Sequence, residues 1–84
     1  MTLTVIASVN GREQVACPYT VDTAYEALRD FRERGEGTLR YLMDNREFRS
    51  ITIPELKRLT DQQLFAEALH VICVDVFTSR PFTA

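Results

Sequence analysis

The sequence predicts a two-layer α+β domain, in which an antiparallel sheet built from two hairpins carries two helices on one face in the order ββαββα. Three observations lead there. Asn10-Gly11 follows a segment of alternating residues, the strongest short-range hairpin signal. A second pair of β-prone segments surrounds Asp44-Asn45-Arg46. Each hairpin is followed by a stretch whose apolar residues recur at helical spacing. A sheet of two hairpins must bury one face, and two amphipathic helices can cover it.

The first hairpin begins at Thr2, where Leu3, Val5, Ala7 and Val9 alternate with Thr2, Thr4, Ile6 and Ser8. Arg12 to Cys17 is the returning strand, and Pro18 ends it because proline brings no N–H to the ladder. In the helix that follows, Thr23 with Glu26 has capping-box spacing, Asp22 is an alternative cap, and the last turn runs into Gly35 and Gly37. Ala24, Ala27, Leu28 and Phe31 share one face, opposite Glu26, Arg29, Asp30 and Glu33. Glu26 with Arg29 and Asp30 with Arg34 are spaced as surface pairs, worth about 0.2–0.5 kcal/mol each.

Thr38 to Met43 and Glu47 to Ile53 form the second hairpin, with Pro54 stopping the outgoing strand. A three-residue loop pairs Leu39 with Ile51 and Leu42 with Phe48. A two-residue loop at Asn45-Arg46 pairs Met43 with Phe48 and Arg40 with Ile51 instead. The choice matters, since a one-residue slip exchanges the buried and exposed faces. The first register is favoured because it gathers Leu39, Ile51 and Ile53 on one side.

Glu55 to Leu59 reads as a helical turn, and Thr60 with Gln63 again has capping-box spacing. From about Asp61 to Thr78, Leu64, Phe65, Ala68, Leu69 and Ile72 form an apolar stripe opposite Gln63, Glu67 and His70, and Pro81 lies just past the end. Val71 to Phe77 is also β-prone, so the alternative is a final strand over 71–77 and a ferredoxin-like order. The absence of Gly, Pro, Asn or Ser between His70 and Val71 favours one continuous helix.

Eighty-four residues suit a single domain over 1–84. A composition 45% hydrophobic and 26% charged excludes wholesale disorder and a disulfide-dense scaffold. The net charge of −2 gives no general attraction to nucleic acid or to an anionic membrane. Residues 1–10 lack the basic region and small-residue cleavage pattern of a secretory leader, and Leu64 to Phe77 is too short and too interrupted to span a bilayer. A cytoplasmic location without membrane attachment is therefore expected, with Cys17 and Cys73 as reduced thiols acting as small buried hydrophobes.

The sequence contains no recognisable catalytic constellation. One His and two Cys without a Cys-x-x-Cys spacing give no metal site, and no cofactor is implied. Cys73 lies three residues from His70, yet no orienting group or oxyanion donor accompanies them. Gly35-Glu36-Gly37 follows a helix, whereas a phosphate-cradling loop follows a strand and opens a helix. Asp44 and Glu47 at a hairpin tip do not make an acid–base dyad.

Two features of distribution point to binding instead. Nine of the ten basic residues are Arg, and eight of the ten fall between Arg29 and Arg58, leaving that segment at +2 between flanks of −2. Arg40, Arg46 and Arg49 share the second hairpin with Tyr41 and Phe48, a set suited to a protein partner or to stacking on single-stranded nucleic acid. Eleven of the fourteen residues from Leu64 to Phe77 are apolar, so a helix there exposes Val71, Val74 and Phe77 beyond its core stripe. Either the tail Arg80-Pro81-Phe82 folds back over them, or they form an interface with a partner or a homodimer mate. The expectation is a small non-enzymatic interaction module, an inhibitor, adaptor or regulatory subunit of the kind phages and mobile elements encode, acting on a larger protein or nucleoprotein. The alternative is a nucleic-acid-binding regulator using the second hairpin. No small-molecule substrate is indicated.

Overall fold

In the computed structural model of the chain, residues 3–79 are described, and side chains of the last helix as far as Cys73. Asn10 and Gly11 take φ of 53° and 76°, the two left-handed positions of a type I′ turn. They join β1 (Leu3–Val9) to β2 (Arg12–Ala16), with Val9 opposite Arg12 and an unbroken ladder to Val5 opposite Ala16. After α1 (Val21–Arg34), β3 (Glu36–Met43) enters antiparallel beside β1, and β4 (Arg46–Thr52) completes a sheet of order β2-β1-β3-β4. Two further helices follow, α2 (Ile53–Lys57) and α3 (Asp61–Ser79), so the predicted α+β class and element order hold, with α2 as a short addition.

The strand period of two sorts the sheet into a covered and an open face. Leu3, Val5, Ala7, Val9, Leu39, Tyr41 and Met43 are buried, whereas Thr4, Ile6, Ser8, Arg40 and Leu42 are half-buried. The covered face meets Ala24, Leu28 and Phe31 of α1, Ile53 and Leu56 of α2, and Leu64, Ala68, Val71 and Ile72 of α3 in one core. Burying each such leucine contributes about 1.5–3 kcal/mol. The long helices run antiparallel: Arg32 near the end of α1 donates to Asp61 at the start of α3 (2.7 Å), and farther along Tyr25 meets Phe65.

Local chemistry moves several expected boundaries. The cap of α1 is Thr20, not Thr23 or Asp22. Thr20 Oγ1 accepts from the Thr23 N–H (3.2 Å), and Thr23 Oγ1 accepts from the Thr20 N–H (2.9 Å), so Thr23 takes the place a Glu usually fills in a capping box. At the other end Gly35 caps in extended geometry, donating to the Phe31 carbonyl at 2.7 Å. A Cβ there would lie 2.5 Å from that carbonyl oxygen and 2.9 Å from Ile53 Cδ1, so only glycine fits. Gly37, expected in the same turn, lies within β3 at φ +75°, where β3 bulges against β1 between the Ile6 and Ser8 pairings. Asp30 pairs with Arg34 as expected (2.6 Å), while Glu26 and Arg29 make no ion pair among the described residues.

The second hairpin adopts neither register throughout. Its turn is Asp44-Asn45, both left-handed at φ 50° and 67°, and Met43 faces Arg46 and Leu42 faces Glu47. Beyond a bulge at Phe48, Tyr41 faces Arg49 and Leu39 faces Ile51. The favoured Leu39–Ile51 pairing is therefore present and the Leu42–Phe48 pairing is not. Asx residues tolerate the left-handed turn and set the near register. The apolar Leu39 and Ile51 hold the far one, and the bulge absorbs the difference.

Pro54 does not merely stop β4. Thr52 caps α2 and Pro54 occupies its first turn, where a missing N–H costs nothing, so the helical turn starts two residues earlier than expected. Thr60 and Gln63 do form the reciprocal box, with the Gln63 N–H donating to Thr60 Oγ1 (3.2 Å) and the Thr60 N–H to Gln63 Oε1 (2.9 Å). From there α3 runs unbroken to Ser79, so 71–77 is helical and the ferredoxin-like alternative is excluded.

Candidate interaction site

The five hairpin residues expected to form one binding face do not share a surface. Tyr41 is fully buried under α3. Its hydroxyl donates to Glu67 Oε2 (3.0 Å), and Arg49 donates from Nε to the same oxygen (3.0 Å) and from Nη2 to Oε1 (3.1 Å). The bulge leaves Phe48 beside Tyr41, with ring centroids 6.2 Å apart and Phe48 partly exposed. Arg40 occupies the open face, between Glu13 (3.4 Å) and Glu47 (3.8 Å). Arg46 is exposed where β4 begins, opposite Met43. Alternation thus separates Arg40 from Tyr41, and the bulge adds Arg49 and Phe48 to the helix side, so no platform of arginines and aromatic rings assembles.

The Tyr41–Glu67–Arg49 network is a load shared between sheet and helix. Only 10% of the Glu67 side chain is exposed, and three charge-assisted hydrogen bonds satisfy its carboxylate. Burial, then the neighbouring Glu67 charge, pushes the Tyr41 phenol well above its usual range. A phenol held neutral and a carboxylate held by an arginine stabilise the packing of α3. Neither lines the depression on the open face of the sheet.

The remaining candidates for chemistry are dispersed. Cys17 and Cys73 are free and exposed rather than buried. Cys17 lies past the end of β2 beside Thr4 (Sγ to Oγ1 3.9 Å), and Cys73 falls on the outer side of α3 because Val71 and Ile72 take the inward positions. His70 is exposed. No group of His, Cys, Asp and Glu able to hold a metal occurs among the described residues. A depression of about 340 Å³ on the open face, at the β1–β3 bulge, is lined by Ser8, Glu13, Glu36 and Arg40 among others. There Glu13 is engaged by Arg40, and Glu36 accepts from the Asn10 N–H (3.2 Å).

Exposed apolar side chains give the clearer signal, though not those expected. Val71 is fully buried in the core, which corrects its assignment to an interface; the side chains of Val74 and Phe77 lie outside the described residues. The exposed pair on α3 is Phe65 (44%) and Leu69 (45%), both expected inside. They stand one turn apart, Phe65 meets Tyr25 of α1 edge-on (centroids 5.8 Å, 60° between planes), and exposed Cys73 follows a turn later. Asp22, Glu26 and Arg29 of α1 are exposed on the same helical layer. The described helices include none long and apolar enough to cross a membrane.

Comparison of the chain with protein-family models, with curated proteins and with solved structures finds no match.

Proposed function

We propose that the protein is a non-enzymatic binding module, acting as an inhibitor, adaptor or regulatory subunit on a larger protein or nucleoprotein. The observation that carries this reading is the apolar stripe of Phe65 and Leu69, braced by Tyr25, on the outer side of the helical layer. An aromatic ring held against a second ring on a packed helix is a ready anchor, since little side-chain freedom remains to be lost on binding. The charged residues of α1 supply the polar rim that surrounds such anchors in protein interfaces. Covering the exposed halves of Phe65 and Leu69 contributes about 1 kcal/mol each by area. An encoding phage or mobile element, and a cytoplasmic setting, belong to the same proposal.

The test is affinity capture from the source cell with tagged wild type and with the double variant Phe65→Asp, Leu69→Asp, each with and without nuclease. Both substitutions are at the surface, so circular dichroism and the thermal transition should persist. A protein retained by wild type after nuclease and lost with the variant is the expected result. Capture of nucleic acid alone would favour the nucleic-acid-binding alternative, and a partner that ignores the variant would remove the stripe from the interface.

A further inference from the structure

A second surface lies at the edge of the sheet. β2 is an outer strand, and no strand among the described residues pairs with its far side. Arg12 to Val15 are all exposed, and Val15 is 58% exposed, more than any other described aliphatic side chain among the large hydrophobics. Natural sheets blunt their edges with short strands, bulges, covering elements, prolines or charge, and β2 is five residues long with charge at Arg12 and Glu13, the latter held by Arg40. The opposite edge, β4, has a bulge at Phe48 and runs into α2, whereas the β1–β2 ladder is regular from Val5 to Val9.

Which backbone groups are free follows from the turn. In a two-residue hairpin the flanking pair exchanges both N–H···O bonds, and bonded pairs then alternate. Val9 and Arg12 flank this turn, so Arg12, Gln14 and Ala16 bond inward to β1. Glu13 and Val15 direct their N–H and C=O groups outward. An antiparallel mate must match outward groups with outward groups, which leaves few symmetric registers. A two-fold axis at Glu13 sets carboxylate against carboxylate. One at Val15 calls on Cys17, which lies beyond the strand and precedes Pro18. An axis at Gln14 lays the five residues of β2 fully against their mates, opposes Glu13 to Val15 twice, and closes four backbone hydrogen bonds without setting like charges directly opposite each other.

We infer that the protein self-associates through β2, antiparallel and centred on Gln14, joining two four-stranded sheets into one of eight. So short a strand gives an interface at the weak, reversible end of the range. This pairing leaves the Phe65–Leu69 stripe clear, and it stands or falls separately from the function proposed above.

Sedimentation velocity across the micromolar to millimolar range tests it. Wild type should shift from monomer to dimer with concentration. Val15→Pro removes only an outward N–H and should be monomeric throughout; Val15→Glu, which opposes Glu13 of the second copy twice, should weaken association about tenfold or more. Val15→Lys, opposed to the same carboxylate, should associate at least as well as wild type, which makes the series specific to this register. Thermal unfolding of each variant verifies that the domain is folded. Monomeric wild type at every concentration, association unchanged by Val15→Glu, weakening by Val15→Lys, or loss of the dimer in Phe65→Asp, Leu69→Asp instead would each overturn the inference.

Discussion

Raising the pH should destabilise this protein through one identifiable group, Tyr41. Its phenol is fully buried, and burial followed by the adjacent Glu67 carboxylate holds its pKa well above the usual value of about 10. In the unfolded chain the phenol ionises near pH 10, while in the folded chain it keeps its proton. The unfolded state then binds fewer protons, so stability is intact below about pH 10 and falls as pH rises above it. With the folded group still neutral, the loss is about 1.4 kcal/mol at pH 11 and about 2 kcal/mol at pH 11.5. That is a sizeable part of the roughly 4–13 kcal/mol expected for a chain of this length. Urea unfolding of wild type and of Tyr41→Phe, from pH 8 to 11.5, measures it. At neutral pH the variant should be less stable by about 1.5 kcal/mol, because one of three bonds to Glu67 is lost and Arg49 keeps the other two. The gap should then close and reverse as pH rises, since phenylalanine has no proton to release. Parallel pH profiles for the two proteins would refute the placement of Tyr41 in the core.

Other consequences are simpler to test. Leu28→Ala, at a core side chain with no exposed surface, should cost about 2–5 kcal/mol in urea unfolding. Asn45→Gly should raise stability by roughly 0.5 kcal/mol, because the residue sits at φ 67° and glycine takes the second position of a type I′ turn without strain. At acid pH, hydrogen bonds from Arg34 to Asp30 and from Arg32 to Asp61 hold both carboxyls below the ordinary range. Their contribution is present above the unfolded value near 3.9 and is lost as pH falls through the lowered folded values, so Asp30→Asn with Asp61→Asn should flatten the acid limb of the stability profile.

What the chain declares locally is legible without a structure. The Asn10-Gly11 turn, the Thr60–Gln63 box and the unbroken last helix each depend on residues near one another in sequence, and each is present. The second hairpin is harder because two local demands disagree. Asp44-Asn45 asks for a two-residue turn, and Leu39 with Ile51 asks for a register one residue away. A pattern of alternation can express one register or the other. It has no symbol for a bulge that satisfies both, and the bulge decides which side of the sheet Phe48 and Arg49 reach.

The orientation of α3 was hidden for a related reason, since it depends on pairings far apart in the chain. Periodicity places a glutamate outside and Phe65 and Leu69 inside. Tyr41 and Arg49, 26 and 18 residues before Glu67, draw its carboxylate toward the sheet instead. With Glu67 turned in, Leu64, Ala68, Val71 and Ile72 form the buried stripe, and the helix stands rotated by roughly 50° from the expected stripe of Leu64, Phe65, Ala68, Leu69 and Ile72, at 100° per residue. Turning it back would cover Phe65 and Leu69, but it would strand the Tyr41 hydroxyl in the core, at about 1–3 kcal/mol, and break the bidentate pair with Arg49. The gain from covering two half-exposed side chains is about 2 kcal/mol in all, and Val71 would leave the core in exchange. The buried carboxylate and the exposed apolar stripe are therefore one structural event seen from opposite sides of α3. A partner seated on the stripe, as proposed, would recover the apolar contribution without disturbing the polar network, an outcome that rotating the helix in the free chain cannot reach.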